Sequence, residues 1–260
     1  MEATCARAVA LGLPAISFTE HVDFTAWSSP PGGWTWPRGV RGSIDGHGRF
    51  LGAPLEVDAY VAEVERCRER FPGLRIRCGI ELSEGHWYPD AVAGLLRTGF
   101  DRVVGSVHTL ADLQTPGEHV EISAAYAQRA PSEVVLAYLA AADAMAASDV
   151  AFDVLGHLDY PLRHWPAAAG PVPWDLLEEP VRRVLAVLAA SGRALEVNTV
   201  LPLDLRVVRW WHEAGGAAVS FGSDAHSPGE LARRFREVTD AMAASGFRAT
   251  DDPTALWARA

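Results

Sequence analysis

The residues of this 260-residue chain with ligand chemistry sit at the ends of short apolar segments. One segment ends Thr19-Glu20-His21, the next Gly79-Ile80-Glu81, and a third Gly105-Ser106-Val107-His108. Then come Gly156-His157-Leu158-Asp159, Glu196-Val197-Asn198 and Gly222-Ser223-Asp224-Ala225-His226. Five of these six segments end in a histidine or an acid and the sixth in an asparagine. Imidazoles and carboxylates together suit zinc, manganese or iron. Cations held roughly 3.5–4 Å apart share bridging ligands and clamp both oxygens of an in-line displacement. A phosphate ester is the natural substrate of such a clamp. A single histidine at a strand end is more often a surface residue; the joint placement of His21, Glu81, His108, His157, Asp224 and His226 argues for a site. Asp224-Ala225-His226 is the most telling piece, because it can feed two adjacent cations. Glu81 follows, as an acid ending a buried segment with no evident ion partner. Beside these ends, Ser106 and Asn198 are candidate substrate contacts, and Glu20 and Asp159 are candidates to orient the ligands from behind. His47, His86, His119, His164 and His212 lie in loops or on helices and are read as solvated, with His164 set apart because it follows Arg163.

The elements that must position these residues alternate. Short apolar runs at 14–19, 75–82, 102–107, 152–155, 194–197 and 218–221 read as strands. Helical periodicity covers 2–11, 57–71, 88–97, 132–147, 176–190, 205–214 and 230–244. Strands without clean apolar–polar alternation are buried on both faces. Repeated strand–helix units imply a parallel sheet with right-handed crossovers. In a parallel barrel, strand ends converge on one face, where active sites lie. Residues 24–54 break the pattern. Rich in Gly, Pro and Trp (Trp27, Trp34, Trp36), they read as one long loop, either a lid over the site or a surface loop. There is no interdomain linker, so residues 1–260 read as one domain.

Composition narrows the partners. A net charge of −10 argues against a nucleic-acid binder, which would carry a basic face. An anionic substrate is still compatible, because bound cations reverse the local field. No apolar run spans a membrane, and the first residues do not form a secretory signal. Cys5, Cys67 and Cys78 lack metal-type spacing and read as reduced thiols, which points to the cytoplasm.

In these segments the sequence resembles the PHP (polymerase and histidinol phosphatase) family, and within it the histidinol-phosphatase branch. The carrying stretches are 16–21, 79–81, 104–108, 153–159, 196–199 and 222–226, in the family's order. The resemblance implies an α/β fold, a distorted seven-stranded (β/α) barrel, and a site for up to three divalent metal ions (Zn, Mn or Fe). Glu81 would bridge two of them; His108 and His157 would complete one site, Asp224 would serve the other, and His21 with His226 would hold the third. Arg163 takes the place of the family's phosphate-contacting arginine, and Asp224 is a candidate for proton handling. The implied reaction is hydrolysis of a small phosphate monoester, L-histidinol phosphate foremost, in histidine biosynthesis. Two alternatives are another phosphate ester as substrate, and a catalytically impaired metal-binding module. The family's opening strand, which ends His-x-His, has no counterpart here. The chain opens inside the following helix, leaving the Asp224 site short of two histidines and the His21–His226 site short of a partner. The preferred explanation is a misplaced start, with some 20 residues upstream supplying a strand of roughly 6 residues.

Overall fold

The fold is seen in a computed structural model that describes residues 1–28, 42–47 and 49–260. Its spine is a sheet whose parallel strands follow the order of the chain: β1 (Ala15–Asp23), β5 (Arg75–Ser83), β6 (Arg102–Ser106), β9 (Val154–Leu155), β10 (Ala194–Asn198) and β11 (Ala218–Gly222). The intervening helices are α2 (Val57–Arg70), α3 (Pro89–Leu96), α4 (Ile122–Ala125), α5 (Pro131–Ala147), α6 (Trp174–Ala190) and α7 (Leu205–Glu213), with α1 (Glu2–Ala10) before the sheet and α8 (Phe235–Ala244) after it. Apolar side chains of the strands and helices form a continuous buried cluster that includes Ile80, Leu82, Val184, Leu185 and Trp211. Local chemistry starts the helices. Pro131 opens α5 at a position where its missing N–H is no loss, and Glu133 accepts from the Ala130 N–H at 3.1 Å. Asp204 caps α7 by accepting from the Arg206 N–H at 2.9 Å.

The expectation of a barrel needs correction, because the sheet is open. Closure requires the first and last strands to share hydrogen bonds. Here β1 and β12 (Phe247–Arg248) are the two ends of the ladder. The free edge of β11 is taken by β13 (Trp257–Arg259), which pairs antiparallel with it and with β12. Residues 247–259 thus contribute two strands to a region that carries no strand signal in the sequence. The last helix is also shorter than its periodicity suggests. It begins at Phe235, after Ala232 and Arg234 turn through the left-handed region.

The described part of the 24–54 segment is not irregular. β2 (Trp27–Ser28), β3 (Gly42–Ile44) and β4 (Arg49–Gly52) join β7 (Thr109–Ala111) and β8 (His119–Glu121) in a second sheet. Trp27 and Phe50 are buried there with ring centroids 4.8 Å apart. Trp34 and Trp36 lie outside the described residues.

Candidate functional site

The site forms where the six parallel strands end. β1 runs four residues past Thr19, and its register against β5 pairs His21 with Glu81 and Asp23 with Ser83. Successive residues of a strand point to opposite faces, so His21 and Asp23 share one face, as do Glu81 and Ser83. The next strand, β6, delivers Ser106 and, just beyond it, His108. β9 leads into His157, β10 carries Glu196 and Asn198, and β11 runs into Asp224 and His226.

Three ligand atoms converge at the centre. Glu81 Oε1 lies 2.8 Å from His157 Nε2 and 3.2 Å from His108 Nε2, and the two imidazole nitrogens are 3.2 Å apart. In a tetrahedral zinc site with bonds of ~2.0–2.1 Å, ligand atoms lie about 3.3 Å from one another. The trio is close to that spacing, and two imidazole nitrogens facing one carboxylate oxygen are a donor set of the right chemistry for a cation. The other oxygen of Glu81 faces His21 Nε2 at 3.9 Å. The carboxylate thus stands between His21 on one side and His108 and His157 on the other. Glu81 is buried; that burial alone would raise its pKa, but His21, His108 and His157 hold it well below the usual carboxylate range.

The frame of this cluster is tightly tied. The backbone N–H of His157 donates to Glu196 Oε2 at 2.8 Å, and its carbonyl accepts from the Tyr138 hydroxyl at 2.9 Å. The N–H groups of His108 and Thr109 donate to Glu84 Oε1 at 2.6 and 2.8 Å. Glu84 has a φ of 46°, and Asp224 shares that value. For residues other than glycine this conformation costs about 1–3 kcal/mol and collects at functional sites. The Tyr160 ring packs against both imidazoles, with centroids 5.4 Å from His108 and 4.9 Å from His157, and its hydroxyl donates to Glu121 Oε1 at 3.0 Å. Gly222 is needed next to this frame: a Cβ there would lie 1.9 Å from Glu196 Oε1.

The remaining ligand candidates are arranged differently. Asp224 Oδ2 accepts from Arg163 Nη1 at 2.6 Å. The His226 ring stacks on His21 at 5.9 Å, and its Nδ1 stands 3.8 Å from Asp224 Oδ1. Arg163 lies over Tyr160 with Cζ 5.1 Å from the ring centroid. Its Nε and Nη2 are buried without a protein partner, so two donors of the guanidinium fork remain for an anion.

The strand ends thus bring together His21, Glu81, His108, His157, Asp224 and His226, with Arg163 beside Asp224. Ser106 is fully buried and donates to the Leu82 carbonyl at 3.3 Å. Asn198 is equally buried; its Nδ2 donates to Glu196 Oε2 and its Oδ1 accepts from the Val200 N–H. Both side chains are engaged in the frame by these bonds. Asp159 lies buried with both oxygens unpartnered; burial raises its pKa, against the pull of Arg163 and His157. Glu20 precedes His21 on β1, so the two alternate to opposite faces of the strand. Of the histidines read as solvated, His47 and His164 are exposed, whereas His86, His119 and His212 are half-buried. His119 stacks on Trp87 at 4.9 Å and His212 packs against Phe247 at 6.0 Å.

Sequence reasoning missed four residues. Asp23 lies 3.9 Å from His21 Nδ1 and 3.7 Å from His108 Nδ1, so an acid stands where the reading of the sequence left His21 without one. His21, Asp23 and His108 make a second cluster of ligand type. The signal was available in the spacing, since His21 and Asp23 are two residues apart in an extended run. Ser83, Glu84 and Glu196 act through backbone groups or a ring nitrogen of other strands, which no sequence spacing reveals.

Comparisons with known proteins identify the family. The family described as "PHP domain" matches residues 1–200. A histidinol-phosphatase of Lactococcus lactis is 25% identical over 229 residues, covering 85% of this chain and 76% of its own. A protein of Deinococcus radiodurans named "Probable histidinol-phosphatase" is 29% identical over 251 residues, covering 91% of this chain and 84% of its own. The crystal structure of a Lactococcus lactis histidinol phosphate phosphatase, complexed with zinc, L-histidinol and phosphate, superposes with a TM-score of 0.72. It is 22% identical, and the match covers 92% of this chain and 86% of that one. At that identity the likeness speaks for the fold.

Proposed function

The chain belongs to the PHP domain family, and from that premise we propose that it is a metal-dependent phosphomonoesterase acting on L-histidinol phosphate. The observation that carries the reading is the convergence of Glu81 Oε1, His108 Nε2 and His157 Nε2 within 3.2 Å of one another. The names of two relatives aligned over most of their length support the substrate. Glu81, His108 and His157 would hold one divalent cation. His21, Asp224 and His226 would serve up to two more, with zinc, manganese and iron all suited to the donors. Bound there, such cations supply the positive charge that stabilises phosphoryl transfer and the acidity that makes a water nucleophilic at neutral pH.

The protein's own residues do the rest. Arg163 offers Nε and Nη2 to the phosphoryl oxygens, and its remaining nitrogen is anchored by Asp224. A guanidinium fixed in this way is preorganised for the equatorial charge of the transition state. Asp224 leaves Oδ1 free of Arg163, for a cation and for the proton passing to the leaving alkoxide. Tyr160 forms an apolar floor under the imidazoles and excludes solvent from that side. All three cysteines are buried free thiols, which suits a reducing, cytoplasmic setting. No helix among the described residues is long and apolar enough to cross a membrane.

The test is turnover of L-histidinol phosphate against a panel of sugar and nucleotide monophosphates, before and after chelation. Turnover should favour histidinol phosphate, vanish on metal removal and return with added zinc, manganese or iron. Turnover that survives complete metal removal overturns the mechanism. A preference for another ester overturns the substrate. Tight metal binding without turnover of any ester favours the metal-binding module.

A further inference from the structure

The ladder between β1 and β5 continues one step beyond the His21–Glu81 pair and sets Asp23 against Ser83. Both residues face the same atom. Ser83 Oγ lies 2.7 Å from His108 Nδ1, and Asp23 Oδ1 lies 3.7 Å from it. Ser83 is enclosed, at 1% exposure, and the Asp23 side chain is 13% exposed. The opposite nitrogen of the ring, Nε2, faces Glu81 and His157. One edge of the imidazole is thus gripped by a hydroxyl and a carboxylate while the other is turned to the ligand cluster.

We propose that Asp23 is a positioning residue for His108: it orients Ser83 to accept the hydrogen bond from Nδ1–H and so reserves Nε2 for a cation. The inference rests on the reading of Glu81, His108 and His157 as a ligand set. Its physical basis is the tautomer. A neutral imidazole carries one proton, and the nitrogen without it is the one that can ligate. Ser83 alone cannot choose, because a hydroxyl both donates and accepts. Turned one way it accepts from Nδ1–H; turned the other it donates to a bare Nδ1, which leaves the proton on Nε2 and blocks the ligand. A carboxylate accepts only, so Asp23, the cross-strand partner of Ser83 with Oδ1 3.7 Å from Nδ1, draws the Ser83 proton toward itself and leaves the oxygen lone pair for Nδ1–H. Cross-strand pairing sets Asp23 beside Ser83, and His108 follows two residues after Ser106, the partner of Ser83 on the next strand.

The rival role for Asp23 is direct ligation together with His21 and His108, whose ligand atoms also lie within reach of one another. That role needs His108 to ligate through Nδ1, the nitrogen already engaged by Ser83, while Nε2 serves the other cluster.

The two roles separate in the intact protein with D23A, D23N and S83A. The readouts are the His108 Nδ1–H resonance in histidine-labelled protein, zinc affinity by chelator competition, and zinc equivalents bound. In the metal-free and zinc-loaded wild type, Nδ1–H should be visible and slow to exchange. In D23A it should exchange rapidly, with zinc affinity down about 10–100-fold and the number of bound equivalents unchanged. S83A should retain more affinity than D23A, because the carboxylate can still accept from Nδ1–H. D23N is close to isosteric and tests the same point should D23A fail to fold; it is expected to shift both readouts in the direction of D23A. A D23N or D23A protein with wild-type proton exchange and wild-type affinity overturns the proposal. So does loss of one bound equivalent, which makes Asp23 a ligand. Wild-type protein that binds no zinc at Glu81, His108 and His157 refutes the ligand reading instead, and the Nδ1–H resonance of the metal-free variants still decides the role of Asp23.

Discussion

The two halves of the site are built on different principles. On the side of β5, β6 and β9, the side chains of Glu81, His108 and His157 touch one another, and the backbone of the two histidines is pinned by Glu84, Glu196 and Tyr138. On the side of β11, Asp224 is held by a cation from elsewhere in the chain, Arg163, and His226 stacks on His21, with its backbone N–H donated to Glu230 Oε2 and its Nδ1 3.2 Å from the Asp224 carbonyl. The first half is a ligand cage set by buried hydrogen bonds. The second is an ion pair whose donors are only partly used. The difference teaches which task each half suits. A cage with fixed distances suits a bound cation, whereas an arginine with two idle donors suits an anion that comes and goes.

The comparison breaks most severely at Glu81. E81Q keeps the shape of the side chain but removes the charge shared among three imidazoles. Turnover is expected to fall by more than the ~10²–10³-fold typical of losing one charge-stabilising donor, with metal content reduced in parallel. An E81Q enzyme with wild-type metal content and turnover would show that the cage is not the metal site. The second blow is to the ion-pair half. R163A should lower kcat/KM by ~10²–10³-fold and weaken inhibition by inorganic phosphate while leaving metal content intact. R163K should recover little of this, since an ammonium has no planar fork. Loss of metal in R163A would place Arg163 in the cage rather than beside the substrate. The smallest effect probes the frame. G222A puts a Cβ where Glu196 Oε1 now lies, so Glu196 must move and release the His157 N–H. A stability loss of about 1–3 kcal/mol is expected in denaturant unfolding, with a drop in metal affinity and wild-type phosphate inhibition. Equal weakening of both halves would mean that the frame is common to them.

Much of the site was legible because metal ligands are chemically rare and occur where strands end. His21, Glu81, His108, His157, Asp224 and His226 stand out for that reason, and the structure brings all six to one end of the sheet. Asp23 escaped because β1 extends to residue 23, past the apolar run that signals a strand. Glu196 belonged to a recognised strand end, but its part depends on the backbone N–H of a residue 39 positions earlier. Ser106 and Asn198 show the opposite case. They are polar residues at strand ends, but burial turned their hydrogen bonds inward to the frame.

The fold divides in the same way. Alternation of apolar runs and helical periodicity is a local property, and it located the six parallel strands. The antiparallel β12 and β13 and the small second sheet have no such pattern. Their strands are two to four residues long, too short for a period to register, and they exist because a neighbouring edge supplies the hydrogen bonds. By itself the sequence determined which residues carry ligand chemistry and that parallel strands would gather them. Only the tertiary structure decided the pairing of Asp23 with Ser83, the bond from Arg163 to Asp224 and the open form of the sheet. Each of these depends on cross-strand register or on contacts between distant segments, and a one-residue shift in register would have turned the same side chains to the opposite face.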